Sequence, residues 1–170
     1  MMQRPAPEPV QVIKQRRDAA LSALVSGVPY MQYLGVRFDR RGDELTALLP
    51  FDDKLIGNPM LPAIHGGVTA AFLEITAMVT LNWSYLWQDI ESGALDPDSM
   101  TRGALPRLPK TIDFTVDYLR SGLPRDAYGR ARVTRSGRRY ASVQAEAWQD
   151  NRDRPFAQAN AHFLMPRKDG

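Results

Sequence analysis

The period of apolar and polar positions changes several times along the chain, and each change marks an element. From Val10 to Ser26 apolar residues recur at helical spacing, with Pro9 ahead and Gly27 behind, which predicts a helix. Residues 1–9 before it are proline-rich and read as disordered. Residues 28–34 read as a short helical turn, and residues 35–40 and 44–50 as two strands joined at Arg41-Gly42-Asp43. Residues 51–64, with Gly57, Pro59 and Pro62, read as a loop. A long apolar helix is predicted from about Gly66 to Leu86. Residues 87–110 are rich in Gly, Pro, Ser and Asp and read as an insertion or mobile loop, a lid or a decoration of a rim. The period then becomes two. Ile112, Phe114, Val116 and Tyr118 alternate with Thr111, Asp113, Thr115 and Asp117, as in a half-buried strand over residues 111–120. Further strands are predicted over 126–135, 138–149 and 155–165, with turns at Ser136-Gly137 and Asp150-Asn151, an antiparallel meander.

Two of these strands carry small residues on one face: Ala141, Val143, Ala145 and Ala147, then Ala157, Ala159, Ala161 and Phe163. Small side chains let another element approach closely. The helix from Gly66 is apolar on most sides and needs cover nearly all round. A curved antiparallel sheet wrapped about one long helix meets both demands, an α+β arrangement.

One residue breaks the pattern of that helix. Thr69, Thr76 and Thr80 fall within about 40° of one another, whereas Glu74 projects about 140° from Thr69, among Val68, Phe72, Ile75 and Val79. A carboxylate on the apolar side of a buried helix costs several kcal/mol unless it is paired or put to use. Glu74 is therefore the first candidate for chemistry. The helix opens with His65-Gly66-Gly67, and two glycines in a first turn cost about 1 kcal/mol each against alanine. Close approach of something to the backbone is the natural reason. His65 reads first as a helix cap.

Composition narrows the classes. The chain has 170 residues, 44% hydrophobic and 24% charged, which fits one folded domain. No apolar run spans a membrane, and the first residues lack the apolar core of a signal peptide, so the cytoplasm is the default location. Absence of cysteine removes thiol and disulfide chemistry, and two distant histidines, His65 and His162, suggest no metal site. No GxSxG motif supports a serine hydrolase. Net charge is +3, and residues 101–140 hold ten Lys or Arg against three Asp. That stretch suits phosphates on a nucleotide-bearing ligand or a set of solvated strand faces; no nucleic-acid recognition motif is evident.

His65-Gly66-Gly67 followed through apolar residues to Glu74, the strand from Thr111 to Gly122 and the arginine-rich hairpin from Arg132 to Tyr140 together resemble the hotdog fold, and within it the PaaI-type acyl-CoA thioesterases. The resemblance covers about residues 28–166, leaving 1–27 as a tail and helix and 167–170 as a tail. It implies hydrolysis of an acyl-CoA or related acyl thioester, with coenzyme A part of the substrate and no other cofactor. The Gly66 N–H would polarise the carbonyl, as a free N–H at a helix N-terminus is suited to do. Glu74 would act as general base or as nucleophile. Relatives often place an Asn six residues before the His; here that position is Pro59, with Asn58 adjacent. Thr111 matches a Ser or Thr that orients water with the acid. His65 and Gly67 are candidates for contacting substrate, and Arg120, Arg138 and Arg139 for the phosphates of coenzyme A.

Gly66 and Glu74 lie about 12 Å apart along a straight helix, too far for both to serve one carbonyl through short contacts. A site using both is more naturally built from two chains, so a homodimer or homotetramer with a shared site is expected. The acyl pocket is expected among Phe72, Tyr30, Met31, Met78, Trp83 and the 87–110 segment. Two alternatives stand beside thioesterase: a hotdog hydratase or dehydratase, whose extra His is absent from Asp52 to Leu55, and a non-catalytic module that binds acyl ligands.

Overall fold

The computed structural model describes residues 7–167. Residues 1–6 of the expected disordered tail, and 168–170 of the C-terminal one, lie outside the described residues. The elements run α1 (Val10–Ser26), α2 (Pro29–Leu34), β1 (Arg37–Arg41), β2 (Glu44–Leu49), a 3-10 turn (Asp53–Leu55), α3 (Gly66–Glu91), α4 (Pro97–Thr101), β3 (Lys110–Tyr118), β4 (Ala127–Ser136), β5 (Tyr140–Trp148) and β6 (Ala157–Leu164). The six strands form one antiparallel sheet in the order β1-β2-β4-β5-β6-β3, with α3 against its inner face. This is the hotdog arrangement.

Small residues make it possible. Across β5 and β6, Ala141 faces Phe163, Val143 faces Ala161, Ala145 faces Ala159 and Ala147 faces Ala157, and all eight are buried. On β4, a side chain at Gly129 would come within 3.0 Å of the Thr76 hydroxyl and 3.1 Å of the Phe72 ring. The threonine face of α3 therefore turns toward the sheet. Thr76 is buried because its Oγ1 donates to the Phe72 carbonyl at 2.7 Å, which satisfies the hydroxyl inside its own helix. Phe72 and Phe163 are fully buried, each contributing about 1.5–3 kcal/mol of hydrophobic stabilisation.

The segment 87–110 departs from expectation. α3 runs on to Glu91, because Ile90 continues the buried stripe, and α4 follows. Asp96 caps α4 by accepting from the Asp98 N–H, Pro97 starts it, and Met100 is buried. α4 packs on α1, and a Cβ at Gly27 would collide with the Leu105 side chain. The segment thus holds the end of α3 and a helix docked on α1, with exposed turns between them. Among the described residues no helix is long and apolar enough to cross a membrane.

Candidate active site

The N-terminus of α3 is set by three glycines and one ring. His65 is the N-cap, and its Nδ1 accepts the Gly67 N–H at 2.8 Å. A Cβ at Gly67 would lie 2.9 Å from that nitrogen, and one at Gly57 would lie 2.7 Å from the ring Cδ2, so both glycines make room for the imidazole. Gly66 is different. It lies in the helix, with no positive φ, and a Cβ there would make only ordinary contact, 3.5 Å, with the Tyr118 ring. Neither backbone conformation nor packing within the chain demands glycine at 66. The Gly66 N–H has no hydrogen-bond partner among the described residues.

Glu74 lies half-buried two turns further on and accepts a 2.6 Å hydrogen bond on Oε1 from the Thr111 hydroxyl, leaving Oε2 outside that bond. A contact this short is of the charge-assisted kind. Strict alternation on β3 would have sent Thr111 to the outer face with Asp113. The register with β6 slips between Thr111 and Asp113, so Thr111 faces the buried Phe163 and Asp113 faces His162. This bulge throws Ile112 outward, 48% exposed, and turns Thr111 inward to the acid. The expectation that Ile112 lies on the buried face is corrected by this bulge; Tyr118 keeps that face, in register with the buried Ala157, but at the end of an edge strand it is 56% exposed.

Tyr118 is the residue that sequence reasoning missed. Its hydroxyl donates to the Gly66 carbonyl at 2.8 Å from the far end of β3. The available signal was an aromatic hydroxyl at a strand end, which needs a polar partner wherever its ring packs. Tyr118 and Thr111, about 23 Å apart along β3, thus reach inward to Gly66 and Glu74, which lie about 12 Å apart along α3. A single chain does not bring the two to one point. Three cavities of about 560, 700 and 520 Å³ lie on the outer sheet face, between α1 and β1, and between α1 and α4; none is lined by Gly66, Glu74 or Thr111.

The remaining candidates divide. Asn58 spends its Oδ1 on the Met60 N–H at 3.0 Å, closing its own turn, and no contact joins it to Gly66 or Glu74 among the described residues. Arg120 donates from Nη1 to the Pro155 carbonyl at 2.7 Å, tying the end of β3 to the β5–β6 connection. Arg138 and Arg139 are exposed in the β4–β5 turn, at the end of the sheet where Tyr140 and Lys110 both pair with Leu164, the Glu74 end. Of the expected pocket residues, Phe72, Met31 and Trp83 are buried in the core of the chain, Met78 is half-buried and Tyr30 is exposed.

Comparison with known proteins agrees with this fold. Residues 57–164, from the loop before His65 to the last residue of β6, match the family model of the acyl-CoA thioesterase N-terminal domain. The chain is similar to the medium/long-chain acyl-CoA thioesterase YigI of Salmonella typhimurium, with 28% identity over 81% of this chain and 86% of that protein. A solved structure from Chromobacterium violaceum is 33% identical over 92% of this chain and 98% of its own, with a TM-score of 0.61. A protein from Shewanella oneidensis related to the thioesterase superfamily shares the fold at a TM-score of 0.70, with 23% identity over 94% of this chain and 100% of its own. The stretch that holds the capped helix, the acid and the bulged strand is the stretch the family model matches, and the chain belongs to the acyl-CoA thioesterase family with the hotdog fold.

Proposed function

We propose that this thioesterase hydrolyses an acyl-CoA by presenting the thioester carbonyl to the Gly66 N–H of one protomer and its carbonyl carbon to Glu74 of another. The observation that carries the reading is the Thr111–Glu74 hydrogen bond of 2.6 Å, which orients a half-buried carboxylate on a largely apolar helix. The free N–H at the start of α3 supports the other half, because a helix N-terminus favours the negative charge that develops on the carbonyl oxygen. Gly66 without a packing reason supports substrate approach there.

In the water route, Glu74 takes a proton as water attacks the carbonyl carbon. The tetrahedral oxyanion rests at the Gly66 N–H; it then collapses, the C–S bond breaks, and the coenzyme A thiolate leaves with a proton. In the covalent route, Glu74 attacks, the thiolate leaves, and water hydrolyses the mixed anhydride. Thr111 fits both, since its hydroxyl fixes one carboxylate oxygen and leaves the other to act.

The shared site follows from β3. If its free edge pairs antiparallel with its own copy across a two-fold axis near residues 114 and 115, Thr111 of one chain meets Tyr118 of the other. Glu74 then lies near the partner's Gly66. Arg138 and Arg139 stand at the Glu74 end, where the phosphates of coenzyme A are proposed to bind. The roles of Asn58 and Arg120 recede, since both already hold backbone partners.

The name of the curated relative puts medium- and long-chain aliphatic acyl-CoAs first in a substrate panel. Thiol release from that panel, with aryl acyl-CoAs beside it, tests the reading. Wild-type turnover is expected to fall about 10²–10⁴-fold in Glu74→Gln with the oligomer intact. Turnover surviving in Glu74→Gln would remove Glu74 from its role. A folded oligomer that releases no thiol from any thioester would move the assignment to a hydratase or a ligand-binding module.

A further inference from the structure

The start of α3 is a weak place to aim a hydrogen-bond donor. Two consecutive glycines lower its helical preference by about 1 kcal/mol each against alanine. Three tethers counter this. The Ile64 N–H donates to the Gly122 carbonyl at 2.8 Å, the Gly67 N–H to His65 Nδ1 at 2.8 Å, and the Tyr118 hydroxyl to the Gly66 carbonyl at 2.8 Å. Two of the three come from the end of β3 and the turn after it. That stretch is itself anchored, since the N–H groups of Leu119 and Arg120 both donate to the Phe156 carbonyl, at 2.9 and 3.0 Å.

Tyr118 and His65 act on one peptide unit. The Gly66 carbonyl accepts from Tyr118, and the N–H of the same unit, on Gly67, donates to His65. A peptide that accepts at oxygen is the better donor at nitrogen. An imidazole whose Nδ1 accepts carries its proton on Nε2. The exposed His65 ring is thereby held as an Nε2–H donor, one residue from the free Gly66 N–H. We infer that Tyr118 is a positioning residue: through the Gly66–Gly67 peptide it holds the Gly66 N–H and the His65 Nε2–H as a fixed donor pair for the thioester carbonyl. The inference rests on the proposed role of Gly66.

Tyr118→Phe keeps the ring against Gly66 and removes only the hydrogen bond. Its kcat is expected to fall about ten-fold, the worth of one oriented hydrogen bond, with KM for acyl-CoA within about two-fold and melting unchanged. Nitrogen NMR of His65 is expected to move from the Nε2–H tautomer toward a mixture, and exchange of the Gly67 amide to speed up about ten-fold. A wild-type kcat together with an unchanged His65 nitrogen spectrum would overturn the inference. If the wild type hydrolyses no thioester, the reading of Gly66 fails, and the tautomer and exchange comparison still decides whether Tyr118 sets the donor geometry.

Discussion

The two edges of the sheet are built on opposite principles. β1 is short and reads RFDRR, and α1 packs against it. Arg40 on that edge, with its side chain 5% exposed, pairs with Asp18 of α1 at 2.8 Å and donates to the Gly42 carbonyl at 2.6 Å. Beside it Arg17 reaches Asp43 and Glu91 and lies 3.7 Å over the Trp87 ring. β3, at the other edge, is nine residues long, pairs among the described residues only with β6, and leaves Ile112, Tyr118 and the following Leu119 exposed. Charge, brevity and cover are the usual defences of an edge against pairing with another chain. One edge of this molecule has all three; the other is long and uncovered, with only Lys110, Asp113 and Asp117 and one bulge set along nine residues. The less defended edge is also the strand that carries Thr111 and Tyr118, so the surface open to a second copy and the residues of the candidate site lie together.

The strongest way to break this contrast is to place one charge at matched positions on the two edges. Phe114→Lys is expected to dissociate the oligomer and lower turnover about 10²–10³-fold, as for loss of an oxyanion donor, because the partner's Gly66 leaves the site. Phe38→Lys on β1 is expected to cost about 1–3 kcal/mol of stability with oligomer and turnover per folded molecule retained. Light scattering and thiol release on both variants check the pair; an intact, active Phe114→Lys would remove β3 from the interface.

A smaller effect separates site from edge. Gly66→Ala is expected to keep the fold and oligomer, since its Cβ meets only ordinary contact, and to lower kcat about 10–100-fold by blocking approach to the N–H. Gly67→Ala is expected to cost about 1–3 kcal/mol of stability through its clash with the His65 ring. Reversal of that order in paired melting and kinetic measurements would mean that Gly66 serves packing.

The smallest effect sharpens the β1 side. Burial raises the Asp18 carboxyl, but hydrogen bonds from Lys14 and Arg40 outweigh it and hold the group below its ordinary value of 3.8. A carboxylate lowered on folding contributes stability that is present above the unfolded value and lost as pH falls through the folded one. Urea unfolding of Arg40→Ala and wild type is therefore expected to differ more at pH 6 than at pH 3, the gap that remains at low pH being the loss of the buried Arg40 stem and its bond to the Gly42 carbonyl. The pH-dependent part stays small because Asp18 is 40% exposed. A gap that widens on acidification would contradict the pairing.

Legibility in the sequence followed the range of the signal. α1 was readable to its ends because Pro9 and Gly27 bracket one apolar period. The alanine faces of β5 and β6 and the central helix were readable because the same small residues recur at period two. α3 ran past its expected end because Gln88 and Asp89 look like loop while Ile90 is buried against neighbours far away in sequence. α4 had a local signature, Asp96 before Pro97, too short to stand against the surrounding glycines. At the site, Glu74 was legible from its misplaced charge. Thr111 was matched through resemblance, while the reason it faces Glu74, a bulge set by pairing with β6, has no local signature. Asn58 closes its own turn by accepting the Met60 N–H, a bond to a donor two residues away that the resemblance gave no reason to expect.

The position of β6 between β5 and β3 has a consequence for synthesis. β3 leaves the ribosome complete at Tyr118, but β6, the strand that pairs with it, does not begin until Ala157. At about 5–20 residues per second, roughly two to eight seconds pass before that partner emerges. For that interval Phe114, Val116 and their exposed neighbours are unpaired on both sides, next to identical nascent chains on the same message. The newborn chain meets its greatest danger of pairing with the wrong copy on the strand by which the finished protein is proposed to pair with the right one.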